Sequence, residues 1–552
     1  MKKLLKIIAI DTPTIHVFQK LFAIDFFREN LTFLQSRGII KTQDELGQFY
    51  EFQIQKRELA TDMANYMKID HFELSLDALK ARKLDLSKES FGKIENFLEL
   101  MFSQFIPRFW VNNPYVFSLS VFTPDKANYL VNSVIDIVLN TLKVIPFPAD
   151  FATEKVSKDY HSMRQRLIDS DHPAKDRFNV RKDSLFKWCY TMIDTLVYNP
   201  LNSFFDETGI KENLALTGTL MAIFDTRIDD IADNIRDKKL VDDFTQIIKI
   251  NDSGLAQIQT ELESYHNGIF KAYFDETVEL FSDIKVLIAD FVFSIDSKHY
   301  ERMCAHLEEL MDVFRYAVSI NNKENQDMAQ SILDNFETMV ERLSPNMMTK
   351  ILFDIQLAAL EKHGSPEIKT FIGDNGDDLL NLFSLIEKAF HLSNCFATYE
   401  REIDEGDITN SVFKRAAELC HAEFDVAYKK SGRTFQYYVE KETHLKFDDR
   451  CTIRSFDDLL VENEGEHPSD VALKKKATKL LVSKDSVIKS YFDNWEAFHS
   501  QICEITNRLI LKLDEDQSEF SKKLIESLKR YSINTELFLV QYVIASNFKG
   551  MV

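Results

Sequence analysis

The sequence predicts an all-α protein, and three observations predict it. Gly and Pro are scarce, 14 and 11 in 552 residues, against roughly 39 and 28 at average usage, so the elements between turns are long. Apolar residues recur at steps of three and four almost throughout, the period of a helix with one buried face. Short runs of alternating apolar and polar residues bounded by turns, the mark of a half-buried strand, are few. A composition of 45% hydrophobic and 28% charged residues is that of a folded globular chain and excludes a disordered, collagen-like or disulfide-scaffold protein.

Taken in order, Phe18, Phe22 and Phe26 are spaced i, i+4, and Leu31, Leu34 and Ile39 carry the stripe to a break at Arg37 and Gly38. Helical patterns follow at 91–105, 130–142, 185–197, 214–235, 269–293, 302–318, 329–343, 379–396, 408–428, 487–513 and 520–545. Breaks are expected where Pro, Gly and Asn cluster, at 112–114, 145–148, 171–173, 199–200, 252–254 and across 363–376. Segment 446–470 is polar, acidic and rich in turn residues, and reads as a surface insertion. No internal repeat occurs at solenoid periods. The length exceeds what one core usually holds. The expected division is an N-terminal helical extension over 1–140 and a helical bundle over 141–552.

The net charge is −21, from 67 Lys and Arg against 88 Asp and Glu. A protein that neutralises phosphates needs the opposite balance, so nucleic acid is excluded as an expected partner. An acidic protein can still hold an anion if cations lie between them. No apolar run reaches the ~18 residues of a membrane span. At the start, Lys6 and Asp11 interrupt the apolar stretch before a signal-peptide core forms, and a cytoplasmic protein is expected. The six cysteines are never closer than 25 residues, which argues against zinc and redox chemistry and fits reduced thiols. Oligomeric state is open, with a homodimer the assembly considered.

Two constellations carry chemistry. Asp229-Asp230-Ile231-Ala232-Asp233 is the one DDxxD among five Asp-Asp pairs, and Asp225 lies one turn before it. On a helix Asp225, Asp229 and Asp233 share a face, with Asp230 to one side. Carboxylates this close repel one another, and a hard, oxygen-seeking cation such as Mg²⁺ relieves that repulsion. The plain alternative is a solvated acidic face. Downstream, Asn394, Thr398 and Glu402 follow the same i, i+4, i+8 spacing. An amide oxygen, a hydroxyl and a carboxylate form a hard oxygen set of low net charge, and Arg401 beside them can reach an anion. The alternative there is a polar helix face with Thr398 bonded to its own backbone.

Together the two motifs resemble those of class I terpene synthases, which pair an Asp-rich motif on one helix with an Asn/Asp, Ser/Thr, Glu triad on a facing one. The resemblance continues through Arg401, Gly406, Asp407 and Asn410, and the order and the separation of 165 residues between Asp229 and Asn394 fit it. Arg530 and Tyr531 are similar to the family's C-terminal Arg-Tyr pair. Arg342 is the nearest residue for its diphosphate-sensing arginine, with Lys350 the runner-up. Cys395 departs from the Asp that often follows the triad Asn, and residues 1–140 match nothing in the family.

The resemblance implies an isoprenoid-synthase-like helical bundle that ionises a linear prenyl diphosphate, farnesyl or geranylgeranyl, and cyclises it to a terpene with release of diphosphate. It further implies Mg²⁺, three ions with substrate bound, on Asp225, Asp229, Asp233, Asn394, Thr398 and Glu402, with Asp230 in the catalytic set. Arg401, Arg530, Tyr531 and Arg342 would contact the diphosphate, and Phe224, Phe390 and Phe396 would wall the pocket. A prenyltransferase of the same fold is disfavoured, because it needs a second Asp-rich motif where Asn394, Thr398 and Glu402 stand. A non-catalytic helical scaffold is the alternative from another class.

Overall fold

A computed structural model describes residues 72–81, 92 and 95, and 150–548 except 179, 181–183, 206–207, 250–251, 290–297, 323–334, 449–450, 461–465 and 515–517. The chain divides into two compact units, Met1–Val144 and Ile145–Val552. In the first, the described helix is α1 (Phe72–Ala81). The helical patterns expected at 18–39 and 130–142, and nearly all of 91–105, lie outside the described residues.

The described part of the second unit is helical. No strand occurs in it, and its one β-bridge pairs Phe205 with Gly364. In order come α2 (Asp150–Asp169), α3 (Ser184–Met192), α4 (Thr208–Asp230), α5 (Lys238–Thr245), α6 (Asp252–Ser264), α7 (Lys271–Leu287) and α8 (Lys298–Asn321). They are followed by α9 (Phe336–Leu343), α10 (Thr349–His363), α11 (Pro366–Glu405), α12 (Ser411–Ser431), α13 (Phe435–Thr443), α14 (Pro468–Val482), α15 (Asp485–Asp514) and α16 (Glu519–Phe548). None of the described helices is long and apolar enough to cross a membrane. All six cysteines are free, and four of them are buried.

Helix α11 is the axis of the bundle, packing against α10, α12, α15 and α16. Its 40 residues make a rod of ~60 Å at 1.5 Å per residue. Ser365 caps its start by accepting from the Ile368 N–H, and Pro366 stands in the first turn, where its missing N–H costs nothing. Gly406 ends it in the left-handed region at φ 69°, which a Cβ resists. The break expected across 363–376 is thus confined to Gly364 and Ser365. Gly373 and Gly376 stay helical, and Asn375 marks a kink at φ −123° with its Nδ2 on the Phe371 carbonyl. Burial of Phe371, Ile372, Leu379 and Leu382 outweighs the ~1 kcal/mol that each helical Gly costs.

Aromatic rings fill the seams around α11. Phe353 of α10 stacks on Phe383 at 3.6 Å between centroids, with Tyr531 of α16 edge-on to both. Tyr491 of α15 donates to the Leu392 carbonyl at 2.8 Å, and Trp495 donates to Ser393 Oγ at 3.1 Å. These bonds satisfy the polar ends of two fully buried rings, and they fix the rotation of α11 just before Asn394. The described part of 446–470 differs from a surface insertion. Phe447, Cys451, Ile453, Phe456 and Leu459 are buried there, and Glu466, largely buried itself, pairs with buried Lys474 at 2.6 Å.

Candidate functional site

The Asp-rich motif sits where its helix changes pitch. Helix α4 runs as an α-helix to Asp230 and continues as a π turn over Ile231–Ile235, closed by Arg236 at φ 60°, ψ 30°. Sequence periodicity predicts an unbroken α-helix here. The wider turn re-aims the side chains that follow it, and π segments recur at functional sites. Asp230 turns inward, fully buried, and accepts from Asn234 Nδ2 at 3.2 Å. Asp229 and Asp233 are half-buried and line a small cleft.

The end of α11 supplies the other wall. Arg401, Glu405 and Asp407 line the same cleft, so residues flanking the triad glutamate meet the Asp-rich motif there, while Asn394, Thr398 and Glu402 are not among the lining residues. Glu402 accepts from Asn410 Nδ2 at 2.7 Å, and the same amide nitrogen donates to the Cys395 carbonyl at 2.8 Å. Asn410 Oδ1 in turn accepts the Val412 N–H at 2.8 Å as the N-cap of α12. One side chain therefore ties a helix start to the triad glutamate. Asp407 is held by the Thr409 N–H and hydroxyl at 2.9 and 2.7 Å.

Helix ends converge on the cleft and are stitched together. Arg236 Nε donates to the Asp233 carbonyl at 2.8 Å and Nη2 to the Glu405 carbonyl at 3.3 Å. From the end of α8, Asn321 Oδ1 accepts the Ile408 N–H at 3.4 Å, and Asn322 Nδ2 donates to the Arg236 carbonyl at 2.6 Å.

The electrostatics follow from this crowding. Four carboxylates, Asp229, Asp233, Glu405 and Asp407, share the cleft with three guanidiniums, Arg177, Arg236 and Arg401. Burial, then Asp229, Asp407, Glu402 and Asp230, hold the Asp233 carboxyl well above the ordinary carboxylate range. Burial, then Asp407, push Glu402 up to about 7, against Arg401, Thr398 and Asn410, which pull it down. On the cationic side, desolvation and then neighbouring Arg236 lower the Arg177 guanidinium. Arg401 pairs with Glu405 at 2.6 Å and reaches Glu402 at 3.4 Å.

The remaining expected residues fall elsewhere or serve the fold. Thr398 is buried and donates to the Asn394 carbonyl at 2.8 Å, the local bond of a helical threonine, although it also helps hold Glu402. Asn394 is half-buried on α11, and Asp225 is half-buried one turn before Asp229; neither is among the residues that line the cleft. Arg530 donates to Asn199 Oδ1 at 3.2 Å, and Tyr531 packs beside Phe383, eleven residues before Asn394 on α11, or ~16 Å along the helix. Arg342 is exposed, over the Tyr316 ring at 5.9 Å. Lys350 pairs with Glu387 at 3.3 Å and Glu309 at 3.4 Å. Phe224 stacks on Phe281 and Phe390 on Phe538, both deep in the core, whereas Phe396 is half-buried against Phe492. Apart from Asn234 the lining of the cleft is charged, and it contains no aromatic ring.

Sequence reasoning missed Arg177, Arg236 and Glu405. Arg177 lies in the turn after α2, and Arg236 directly precedes Asp237, the N-cap of α5. An Asp cap marks a helix start, so Arg236 was identifiable as the end of the preceding helix, yet nothing in the sequence directs it to α11.

Among the described residues no group of three or more His, Cys, Asp or Glu side chains converges to hold a metal ion. Mg²⁺ seldom relies on such a group. It keeps several waters and takes one or two carboxylates together with substrate phosphates. A cleft whose acids repel one another, with arginines beside them, fits an ion of that kind. No protein-family model matches the sequence, and no curated protein or solved structure matches it significantly.

Proposed function

We propose that the protein is a Mg²⁺-dependent enzyme of the class I terpene synthase type, acting on a linear prenyl diphosphate. The observation that carries this reading is that Asp229 and Asp233 of the Asp-rich motif share one cleft with Arg401, Glu405 and Asp407, the residues around Glu402, and that Asp233 feels the charge of Asp407 and Glu402. Acids alone repel a diphosphate, and arginines alone attract any anion. The mixture selects an anion that arrives with cations.

Asp229, Asp233 and Glu402 would hold the ions on their oxygens, with Asn394 and Thr398 on the same face of α11. When bound, Mg²⁺ supplies charge stabilisation for the departing diphosphate. The chain's own contribution would be to offer Arg401 and Arg177 to the negative charge that grows as the allylic C–O bond breaks. Asn410 keeps the Glu402 carboxylate in a single orientation, so no reorganisation is needed at that moment.

Purified protein incubated with geranyl, farnesyl or geranylgeranyl diphosphate and Mg²⁺ should release diphosphate and form hydrocarbon products. No Mg²⁺-dependent turnover of any of the three refutes the reading. A longer prenyl diphosphate formed from added isopentenyl diphosphate would make it a chain-elongating transferase instead.

A further inference from the structure

We propose that Arg236 is a positioning residue, a strut that sets the separation of the two acid-bearing helix ends on which binding of a magnesium diphosphate headgroup depends. The inference rests on the proposed function and deepens it. Arg236 spans the site with three different groups. Its Nε holds the Asp233 carbonyl at 2.8 Å, its Nη2 holds the Glu405 carbonyl at 3.3 Å, and its own carbonyl receives Asn322 Nδ2 at 2.6 Å. The ends of α4, α8 and α11 are thereby tied through one residue.

What the guanidinium grips is informative. Asp233 and Glu405 both line the cleft, yet Arg236 bonds their backbone oxygens. It fixes the two main chains without neutralising the Asp233 carboxylate that an ion would use. The planar fork suits this, since its nitrogens diverge at fixed angles and hold two acceptors at once. A lysine ammonium is a point donor on a flexible stem and cannot impose a distance in that way.

The backbone of Arg236 offers a clean test. At φ 60° it occupies the left-handed region, which Gly enters freely and a residue with a Cβ enters against resistance. Arg236→Gly therefore removes the strut while easing the local chain, and Arg236→Lys keeps the charge without the fork.

The full chain would be titrated with inorganic pyrophosphate in the presence of Mg²⁺ by isothermal calorimetry, alongside thermal melts. We expect R236G to melt at the wild-type temperature or above and to bind magnesium pyrophosphate at least tenfold more weakly. R236K should melt like the wild type and bind at least threefold more weakly. Should R236G melt lower, R236K recovering the melting temperature without the affinity carries the same conclusion. Wild-type affinity in R236G overturns the proposal. So does a joint loss of melting temperature and affinity in R236G that R236K fully restores, because that is an ordinary structural role. A wild-type protein that binds no magnesium pyrophosphate overturns the proposed function and the strut's ligand together, whereas a failure confined to the variants touches the strut alone.

Discussion

Replacing Glu402 by Gln removes a charge and little else, and without metal the protein should gain stability from it. The Glu402 carboxyl rises from 4.5 to about 7, a rise of about 2.5 pH units that is worth about 3 kcal/mol. The folded value lies above the unfolded one, so the stability is fully present below pH 4.5 and is lost as pH climbs through 7. Gln does not titrate and avoids that loss. Asn410 Nδ2, which meets the carboxylate at 2.7 Å, still finds an amide oxygen. Urea unfolding of wild type and Glu402→Gln at pH 4.5 and pH 8, without metal, isolates the charge, because effects of shape and packing cancel between the two pH values. The advantage of the variant should grow by about 3 kcal/mol from the lower pH to the higher. An advantage that does not change with pH refutes the claim that this carboxylate is held at a cost. Magnesium pyrophosphate should then raise the melting temperature of the wild type and leave Glu402→Gln unmoved.

Other expectations can be checked with the same assays. Glu387 is buried on α11 away from the cleft, beside Lys350, and its burial pushes it up to about 7. Glu387→Gln should show a similar pH-dependent gain in stability but keep wild-type affinity for magnesium pyrophosphate, and weakened affinity would place Glu387 in the site. Asp229→Ala and Asn394→Ala should each abolish Mg²⁺-dependent turnover with circular dichroism unchanged; wild-type turnover in the double variant would show that the ligand assignment is wrong. At Gly218 of α4 an added Cβ meets Tyr198 Oη at 2.8 Å and Ile193 Cγ2 at 3.0 Å, so Gly218→Ala should cost about 1–3 kcal/mol in urea unfolding. A neutral result would mean that the π turn over Ile193–Tyr198 yields.

The helices were legible because their cause is local. Apolar residues at i, i+3 and i+4 mark α8, α11, α15 and α16, and Asn335, Ser365, Asn410 and Thr434 each accept backbone N–H groups at a helix start. Less legible was anything decided between segments. The π turn at Ile231–Ile235 sits beside the end of α8, where Asn322 bonds the Arg236 carbonyl, and helical periodicity in the sequence does not distinguish it from an α turn. The 446–470 segment is as acidic as a surface loop, yet it carries a buried Phe456 whose N–H reaches His421 of α12. The site divides in the same way. Asp229, Asp233 and Glu402 announced themselves by spacing on single helices, whereas Arg177 and Arg236 belong to the cleft through tertiary placement alone. Arg530 and Tyr531 show the converse, an Arg-Tyr pair whose side chains serve Asn199 and the Phe353–Phe383 stack.

The placement of the acids opposes stability at the level of the helix as well as of the pair. A helix C-terminus carries partial negative charge from its unpaired carbonyls, so carboxylates there are unfavourable by typically 0.3–1 kcal/mol each and cations favourable. Helix α11 ends in Glu402, Asp404 and Glu405 with no basic residue in its last turn, and Asp233 lies in the last turn of the segment that ends at Ile235. Both ends are thus doubly negative, from side chains and from backbone, and they point at the same cleft. Lys475 and Lys479 answer part of this at Asp404, bonding its carbonyl and its carboxylate, and Arg236 answers part at the Asp233 and Glu405 carbonyls. The side chains of Asp233 and Glu402 are left raised in pKa even so. Two helix ends that accumulate negative charge against their own dipoles, and are then braced together by backbone hydrogen bonds, make physical sense if a cation completes them. That supports the proposed Mg²⁺ role more strongly than the motif spellings do, because a chance DDxxD on a solvated face would carry none of these costs.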